Sequence, residues 1–241
     1  MIIAEINTVN NGSTGKIMFD LAETARKQGH TVYTYSAKTF RRGIKNSYRL
    51  LVDHTYYGSE FGNFIHKALG ETLGLNGYFS FWATRKLIND LQNKKVQIIH
   101  LHNLHEFCLN LPMLFNYLKK NDIKVIWTLH DCWAFTGHCP YFSIVNCTKW
   151  KSGCGKCPQK NVYPRCYLDT THFMWRKKRA WFSGIKDLTI VTPSNWLANL
   201  VKQSFLSEYP IMVINNGIDL EIFKPTSSDF RERFGIIPKP K

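Results

Sequence analysis

The chain has 241 residues, 44% of them hydrophobic and 14% aromatic, a composition that supports a globular core and excludes a disordered chain. Lysine and arginine number 32 against 17 acidic residues, a formal charge of +15, which favours a polyanionic partner: nucleic acid, anionic lipid or a phosphorylated substrate. No apolar run approaches the roughly 18 residues of a transmembrane helix, and the first residues lack the basic and apolar regions of an export signal, so the expected compartment is the reducing cytoplasm.

Two hydrophobic periods alternate along the chain. Residues 1–6 form an apolar run that reads as a first strand. In 14–28, Ile17, Met18, Leu21, Ala22 and Ala25 recur at helical spacing, and Gly29 ends that helix. Residues 31–35 are β-rich, and 49–52 read as a further strand. The stretch 56–77 shows no clean period, with a helix expected around 61–69. Helix 80–92 has Phe81, Leu87, Ile88 and Leu91 in phase. Strand 96–101, helix 109–119 and strand 124–129 follow. After a cysteine-rich stretch come helix 171–182, strand 188–192, helix 194–203 and strand 211–214. Strands alternating with helices imply right-handed βαβ units, hence a Rossmann-like parallel sheet covered by helices on both faces.

In such a sheet ligands bind at the carboxyl ends of the strands. The residues there are polar after five strands: Asn10 to Gly15, His102-Asn103, His130-Asp131, Ser194-Asn195, and Asn215 to Gly217. The loop holding Gly12, Ser13 and Gly15 opens the first helix, where unpaired N–H groups and the helix dipole attract a phosphate or another oxyanion. It is neither GxGxxG nor a Walker loop, because Ile17 follows Lys16; an ordinary tight βα turn is the alternative.

Five of the seven cysteines fall between Trp127 and Pro158. Cys154-Gly155-Lys156-Cys157 has the spacing that lets two thiolates reach one metal ion from one turn. With Cys139 and Cys147 they can close a tetrahedral, structural Zn site. His138 is a substitute ligand. A thioredoxin-like dithiol, two disulfides and plain thiols are the alternatives. The neighbouring Gly153, Gly155 and Pro158 argue for a loop and against the helix start of a redox motif. Further on, Arg176 to Arg179 are four consecutive basic residues flanked by Trp175, Trp181 and Phe182. They fit either a helix lying on an anionic membrane surface or a solvated face with its aromatics turned inward.

Near the end of the chain, Asn216-Gly217-Ile218-Asp219, followed by Phe223-Lys224-Pro225, resembles the NG(I/V)D…F.P signature that closes the N-terminal domain of family 4 glycosyltransferases. Those are retaining enzymes of the GT-B fold. Thr192-Pro193-Ser194-Asn195-Trp196 resembles their (T/S)PS.W segment, and Thr128-Leu129-His130-Asp131 their strand ending in a site histidine. The cysteine-rich insert is similar to that of members acting in colanic acid and related exopolysaccharide synthesis. The resemblance runs from residue 1 to about 225.

It implies the N-terminal, acceptor-side half of a GT-B enzyme over 1–225, with a cysteine-rich insert at 132–166. Residues 226–241 would lead into a C-terminal donor-binding domain. It also implies a nucleotide sugar as co-substrate, a polysaccharide or lipid-linked acceptor, no catalytic metal, and work at the inner face of the plasma membrane. His130 would stand beside the reacting centre. Gly12, Ser13 and Gly15 would approach the donor phosphates and acceptor, and His102, Asn103 and Asp131 would line the acceptor side. The alternative is a zinc-stabilised module for nucleic acid or another anionic partner. That would want basic and aromatic groups on one exposed surface. The strand-edge set of Asn, Ser, His and Asp suits sugar hydroxyls instead, so no nucleic acid is expected.

Overall fold

The computed structural model describes residues 1–37, 53–105 and 107–236. Its described strands are β1 (Ile2–Ile6), β2 (Thr31–Ala37), β3 (His54–Tyr57), β4 (Ile98–Leu101), β5 (Lys124–Thr128), β6 (Leu188–Thr192) and β7 (Ile211–Val213). They form one sheet in the order β3-β2-β1-β4-β5-β6-β7, every neighbouring pair parallel. The helices are α1 (Gly12–Lys27), α2 (Glu60–Leu73), α3 (Phe81–Asn93), α4 (Leu111–Lys120), α5 (Thr171–Phe182), α6 (Asn195–Val201) and α7 (Phe230–Arg233). Strand order reverses between β1 and β4, which opens a crevice at their carboxyl ends.

Three helix starts have local causes. The Ser59 and Ser194 hydroxyls accept the Gly62 and Leu197 N–H groups at the starts of α2 and α6. The Asn110 side chain accepts from Met113 N–H at 2.9 Å to open α4. Such caps contribute about 1 kcal/mol each. The strand expected at 49–52 lies outside the described residues, as do Lys38, Arg41 and Arg42. Of the two edge strands, β3 and β7, β3 overlaps the start of the 56–77 stretch that shows no period. It is only four residues long, and pairing with β2 decides it where propensity does not.

The two sheet faces differ. On one, Ala4, Ile6, Tyr35, Ile99, Leu101, Val125 and Trp127 join residues of α3 and α4 in the main core. There the rings of Phe115, Trp127 and Phe182 meet at 4.4–5.4 Å between centroids. Each such side chain contributes about 1.5–3 kcal/mol by leaving water. On the other face a smaller apolar cluster joins Ile3, Val32 and Ile98 to Ala22 and Ala25 of α1. Toward the strand ends that face turns polar yet stays buried, with Glu5, Thr34, Ser36 and His102. Buried polar groups need partners. His54 takes its two from Thr34 Oγ1 at 2.9 Å and Ser36 Oγ at 3.1 Å.

The cysteine-rich stretch runs between β5 and α5 as loops and three short 3-10 turns. It packs into the body of the domain. Trp133, Phe135, Phe142 and Trp150 belong to the same core cluster as the sheet. Gly137 is needed there, since a Cβ would lie 2.8 Å from Cys154 Cβ and press on the Thr171 backbone. Lys178 of α5 pins the loop: its Nζ donates to Trp133 O at 2.7 Å and Thr136 O at 3.1 Å.

That contact also orients the helix. Trp175, Lys178 and Phe182 point inward, leaving Arg176, Lys177 and Arg179 exposed together with Phe173, whose ring centroid lies 5.3 Å from Lys177 Nζ. Among the described residues, no helix is long and apolar enough to cross a membrane.

Burial pushes the imidazoles of His66 and His130 down to about 3 and about 4. Between about pH 6.5 and pH 4 the unfolded chain binds protons on both rings that the folded chain refuses. Stability should therefore fall as pH falls through that window, by up to about 1.4 kcal/mol per pH unit for each ring. Urea midpoints measured at about pH 7 and about pH 5 check this; equal midpoints would contradict neutral burial of the rings.

Candidate functional site at the β1/β4 crevice

Register builds the site from alternate residues. Glu5 of β1 pairs in register with Thr34 of β2 and with His100 of β4, and His102 lies two residues on. Thr128 and His130 follow the same alternation at the end of β5. All five groups of this row, Glu5, His100, His102, Thr128 and His130, therefore lie on one face of the sheet. Trp127 fixes the neighbouring strand ends from the opposite face, its indole N–H donating to His102 O at 3.0 Å.

The carboxylate of Glu5 sits between two imidazoles. Oε1 lies 3.1 Å from His100 Nδ1, and Oε2 lies 2.9 Å from His102 Nε2. Burial pushes this carboxyl up, but His100 and His102 outweigh it and hold it at about 2. His102 Nδ1 then meets His130 Nε2 at 3.1 Å, the two rings stacked at 5.4 Å and 13°. Burial pushes the His102 imidazole down, with His100 adding to the effect. His130, half-buried, is pushed down by burial and then by His102, so it is neutral at pH 7. Sequence patterning did not single out Glu5 or His100. The available signal was an ionisable residue inside each apolar strand, IIAEI and IIHL.

Among the described residues, Glu5, His100 and His102 are the donor set compact enough for a metal, all ligand atoms lying within 4.8 Å. Their ring nitrogens face the carboxylate at hydrogen-bond distance, which satisfies those atoms without an ion.

The remaining expected residues fall into three groups. Gly12 and Ser13 are exposed at the start of α1, whose first turn has no acidic residue and whose Asn11 makes no side-chain cap. Gly15 is buried where a Cβ would lie 2.6 Å from the Asn10 carbonyl carbon, so only glycine lets the helix approach its own entry loop. Asn7 ties this loop to β4. Its Nδ2 donates to Thr14 Oγ1 at 3.1 Å, and its Oδ1 accepts the N–H groups of Thr8 and Asn103 at 3.0 and 3.2 Å. Asn103 is thereby held beside the α1 entry, half-buried.

His102 and Asp131 are buried behind the rim, not on it. Asp131 is spoken for: Oδ1 accepts the Trp133 N–H at 2.8 Å and Oδ2 lies 3.0 Å from His105 Nε2. Burial raises its carboxyl, but the His105 hydrogen bond prevails and lowers it. Its role in the geometry is to anchor the start of the cysteine loop. Cys132 beside it is a buried thiol pushed up to about 12, which removes it as a nucleophile.

Cys139, Cys147, Cys154 and Cys157 line one small cavity with His138, and all four are thiols. The Gly137 N–H donates to Cys154 Sγ at 3.2 Å. Hydrogen bonding from the Cys139 thiol draws Cys157 down to about 7. His138 Nε2 is buried without a hydrogen-bond partner. Four thiols around one cavity and an orphaned imidazole nitrogen are the donor chemistry that Zn takes, although no three of them stand as close together as Glu5, His100 and His102 do.

A parallel sheet of this order, with its polar crevice where the order reverses, is the Rossmann-like half of a GT-B glycosyltransferase. The chain belongs to Glycosyltransferase Family 4, whose description matches residues 14–222. It is 29% identical over 219 residues to WcaC of Escherichia coli (strain K12), assigned as a colanic acid biosynthesis glycosyl transferase, covering 87% of this chain and 52% of that one. Sucrose-phosphate synthase from Thermosynechococcus elongatus superposes with a TM-score of 0.58 at 12% identity, over 98% of this chain and 53% of that protein. The catalytic domain of Starch Synthase IV from Arabidopsis thaliana gives 0.47 at 14% identity, over 95% and 54%. The chain thus spans about half the length of the relatives it matches.

Proposed function

We propose that this chain is the acceptor-side half of a retaining, nucleotide-sugar-dependent glycosyltransferase that builds an exported polysaccharide. The acceptor is a growing or lipid-linked saccharide. The observation that carries this reading is His130, a half-buried neutral imidazole at the end of β5, hydrogen-bonded to His102 at the switch-point crevice. The relationship to WcaC supports the polysaccharide setting.

In the reaction, the bond from the anomeric carbon to the donor phosphate breaks and a bond to an acceptor oxygen forms on the same face. The nucleoside diphosphate leaves, and the acceptor hydroxyl gives up its proton. His130 hydrogen-bonds a sugar hydroxyl and holds the developing oxocarbenium-like centre in place. The N–H groups at Gly12, Ser13 and the following residues meet anionic oxygens.

Residues 1–225 form this half, and 226–241 lead to the donor-binding half. Ile218, Leu220, Ile222, Phe223, Phe230 and Phe234 are all more than half exposed, an apolar run suited to burial against a second domain. Cys139, Cys147, Cys154 and Cys157 hold one Zn ion, which cross-links the loop and takes no part in the transfer.

The test is calorimetry and turnover side by side. The full-length protein should transfer sugar from a UDP- or GDP-sugar to a saccharide acceptor with retained anomeric configuration. The 241-residue chain alone should bind those donors weakly and turn nothing over. Micromolar donor affinity in the isolated chain would sink the division into halves, and inverted product would sink the retaining assignment.

A further inference from the structure

The hydrogen-bond row behind His130 has a direction, and the direction follows from chemistry alone. An ionised carboxylate only accepts. Glu5 lies against His102 Nε2 at 2.9 Å, so that nitrogen carries the proton. A neutral imidazole carries one proton, so His102 Nδ1 is bare and accepts. Its partner at 3.1 Å is His130 Nε2, which must therefore be the N–H. His130 Nδ1 is left as a lone pair. No described residue hydrogen-bonds it, and it is not among the sealed, unpartnered polar atoms.

The second imidazole on Glu5 points the same way. His100 Nδ1 donates to Oε1, so His100 Nε2 is bare and accepts the Thr128 hydroxyl at 2.8 Å. Glu5 therefore receives two N–H donors, and His102 cannot turn its proton toward His130 without setting a bare Nε2 lone pair against Glu5 Oε2 at 2.9 Å. His102 is 1% exposed, so water does not replace the lost partner. Losing a charge-assisted hydrogen bond and facing two lone pairs in a buried site is a large penalty, and it holds the row in one arrangement.

We propose that Glu5 and His102 are positioning residues that lock His130 in its Nε2–H form, presenting Nδ1 to the substrate as the acceptor. This rests on the reading of His130 as the group beside the reacting centre. The buried carboxylate also lies two rings behind Nδ1. When Nδ1 takes a proton, the positive charge is spread along a hydrogen-bonded row that ends on an anion. Glu5 thus makes His130 a better acceptor than burial alone would allow. Charge, tautomer and ring orientation are all set from a residue in the first strand that never meets substrate.

The test has two arms. Long-range proton–nitrogen NMR of the 15N-histidine-labelled 241-residue chain reads the tautomer of each ring, with His130 assigned by its loss in His130→Gln. His130 is expected as a single Nε2–H form. In His102→Phe, which keeps the stacked ring and removes the acceptor, and in Glu5→Gln, which removes the charge, His130 should become a mixture. An Nδ1–H form in the wild-type chain overturns the proposal, and that spectrum stands whether or not the variants fold. A pure Nε2–H form in both folded variants also overturns it.

The second arm uses the full-length enzyme. Glu5→Gln is expected to lower kcat about 10–100-fold with little change in KM. The acid limb of its pH–rate profile should move to lower pH, which a merely structural lesion would not produce. Unchanged kcat in Glu5→Gln, in an enzyme that His130→Ala inactivates, overturns the positioning role. Full activity of His130→Ala would instead remove the reading of the site and leave the tautomer result standing.

Discussion

His130→Ala in the full-length enzyme is expected to lower kcat by about 10²–10³ while the protein folds normally. One preorganised contact to a developing charge is worth roughly 2.7–4 kcal/mol, which is that factor in rate. The folding half of the expectation comes from where the ring sits. His130 is half-buried at a strand end, and its hydrogen bond runs to His102 Nδ1, an atom that can accept from water once the ring is gone. The apolar core on the opposite face does not include it. KM for the acceptor should change less than kcat, because a contact made mainly in the transition state adds little to ground-state binding. Measured kcat within a factor of a few of wild type, with an unchanged thermal midpoint, would remove His130 from the chemistry.

How much of this was legible in the sequence depends on which physical signal each residue carries. The sheet was readable because its central strands are apolar runs and its helices carry in-phase apolar positions; β1, β4, β5 and β6 fall where patterning puts them. The strand-end polar groups were readable for the same reason, as breaks in those runs. The depth of each group was not. His102, Asn103, His130 and Asp131 look alike in a sequence, yet His102 and Asp131 are buried and partnered while Asn103 and His130 remain half-buried. That distinction comes from which neighbour stands in register, and Glu5 lies 97 positions before the His102 it meets. The orientation of the basic run at 176–179 was hidden for a related reason. Its charge suggested a surface, but Lys178 turns inward to carbonyls of a loop more than forty residues earlier. Asn7, too, is unremarkable in sequence; its side-chain bonds to Thr14 and Asn103 appear only when β1, α1 and β4 converge.

The purified chain is expected to carry one Zn ion, and removing it should undo more than the loop that holds it. Structural Zn contributes about 10–16 kcal/mol of apparent binding free energy in small peptides. Here the cost of losing it spreads because the loop is not an island. Phe135, Phe142 and Trp150 share the core of the sheet, and Lys178 holds Trp133 O and Thr136 O from α5. Four thiolates around Zn²⁺ carry a net charge of about −2. Burial pushes the Lys178 ammonium far down, and anionic Cys154, Asp131 and Cys139 push it back up. A loaded centre therefore favours the charged lysine that pins the loop, and an empty one removes that support. Cys154→Ser with Cys157→Ser, or a strong chelator, should strip the metal. Amide protection should then collapse from about residue 133 through α5, while β1 and β4 exchange slowly as before. Lys178→Met should keep the four ligands yet release Zn to a chelator faster than wild type. Metal analysis finding no Zn, together with seven thiols that titrate in the native state, would sink the centre. Loss of protection confined to residues 139–157 would instead show that the loop is mechanically separate from α5.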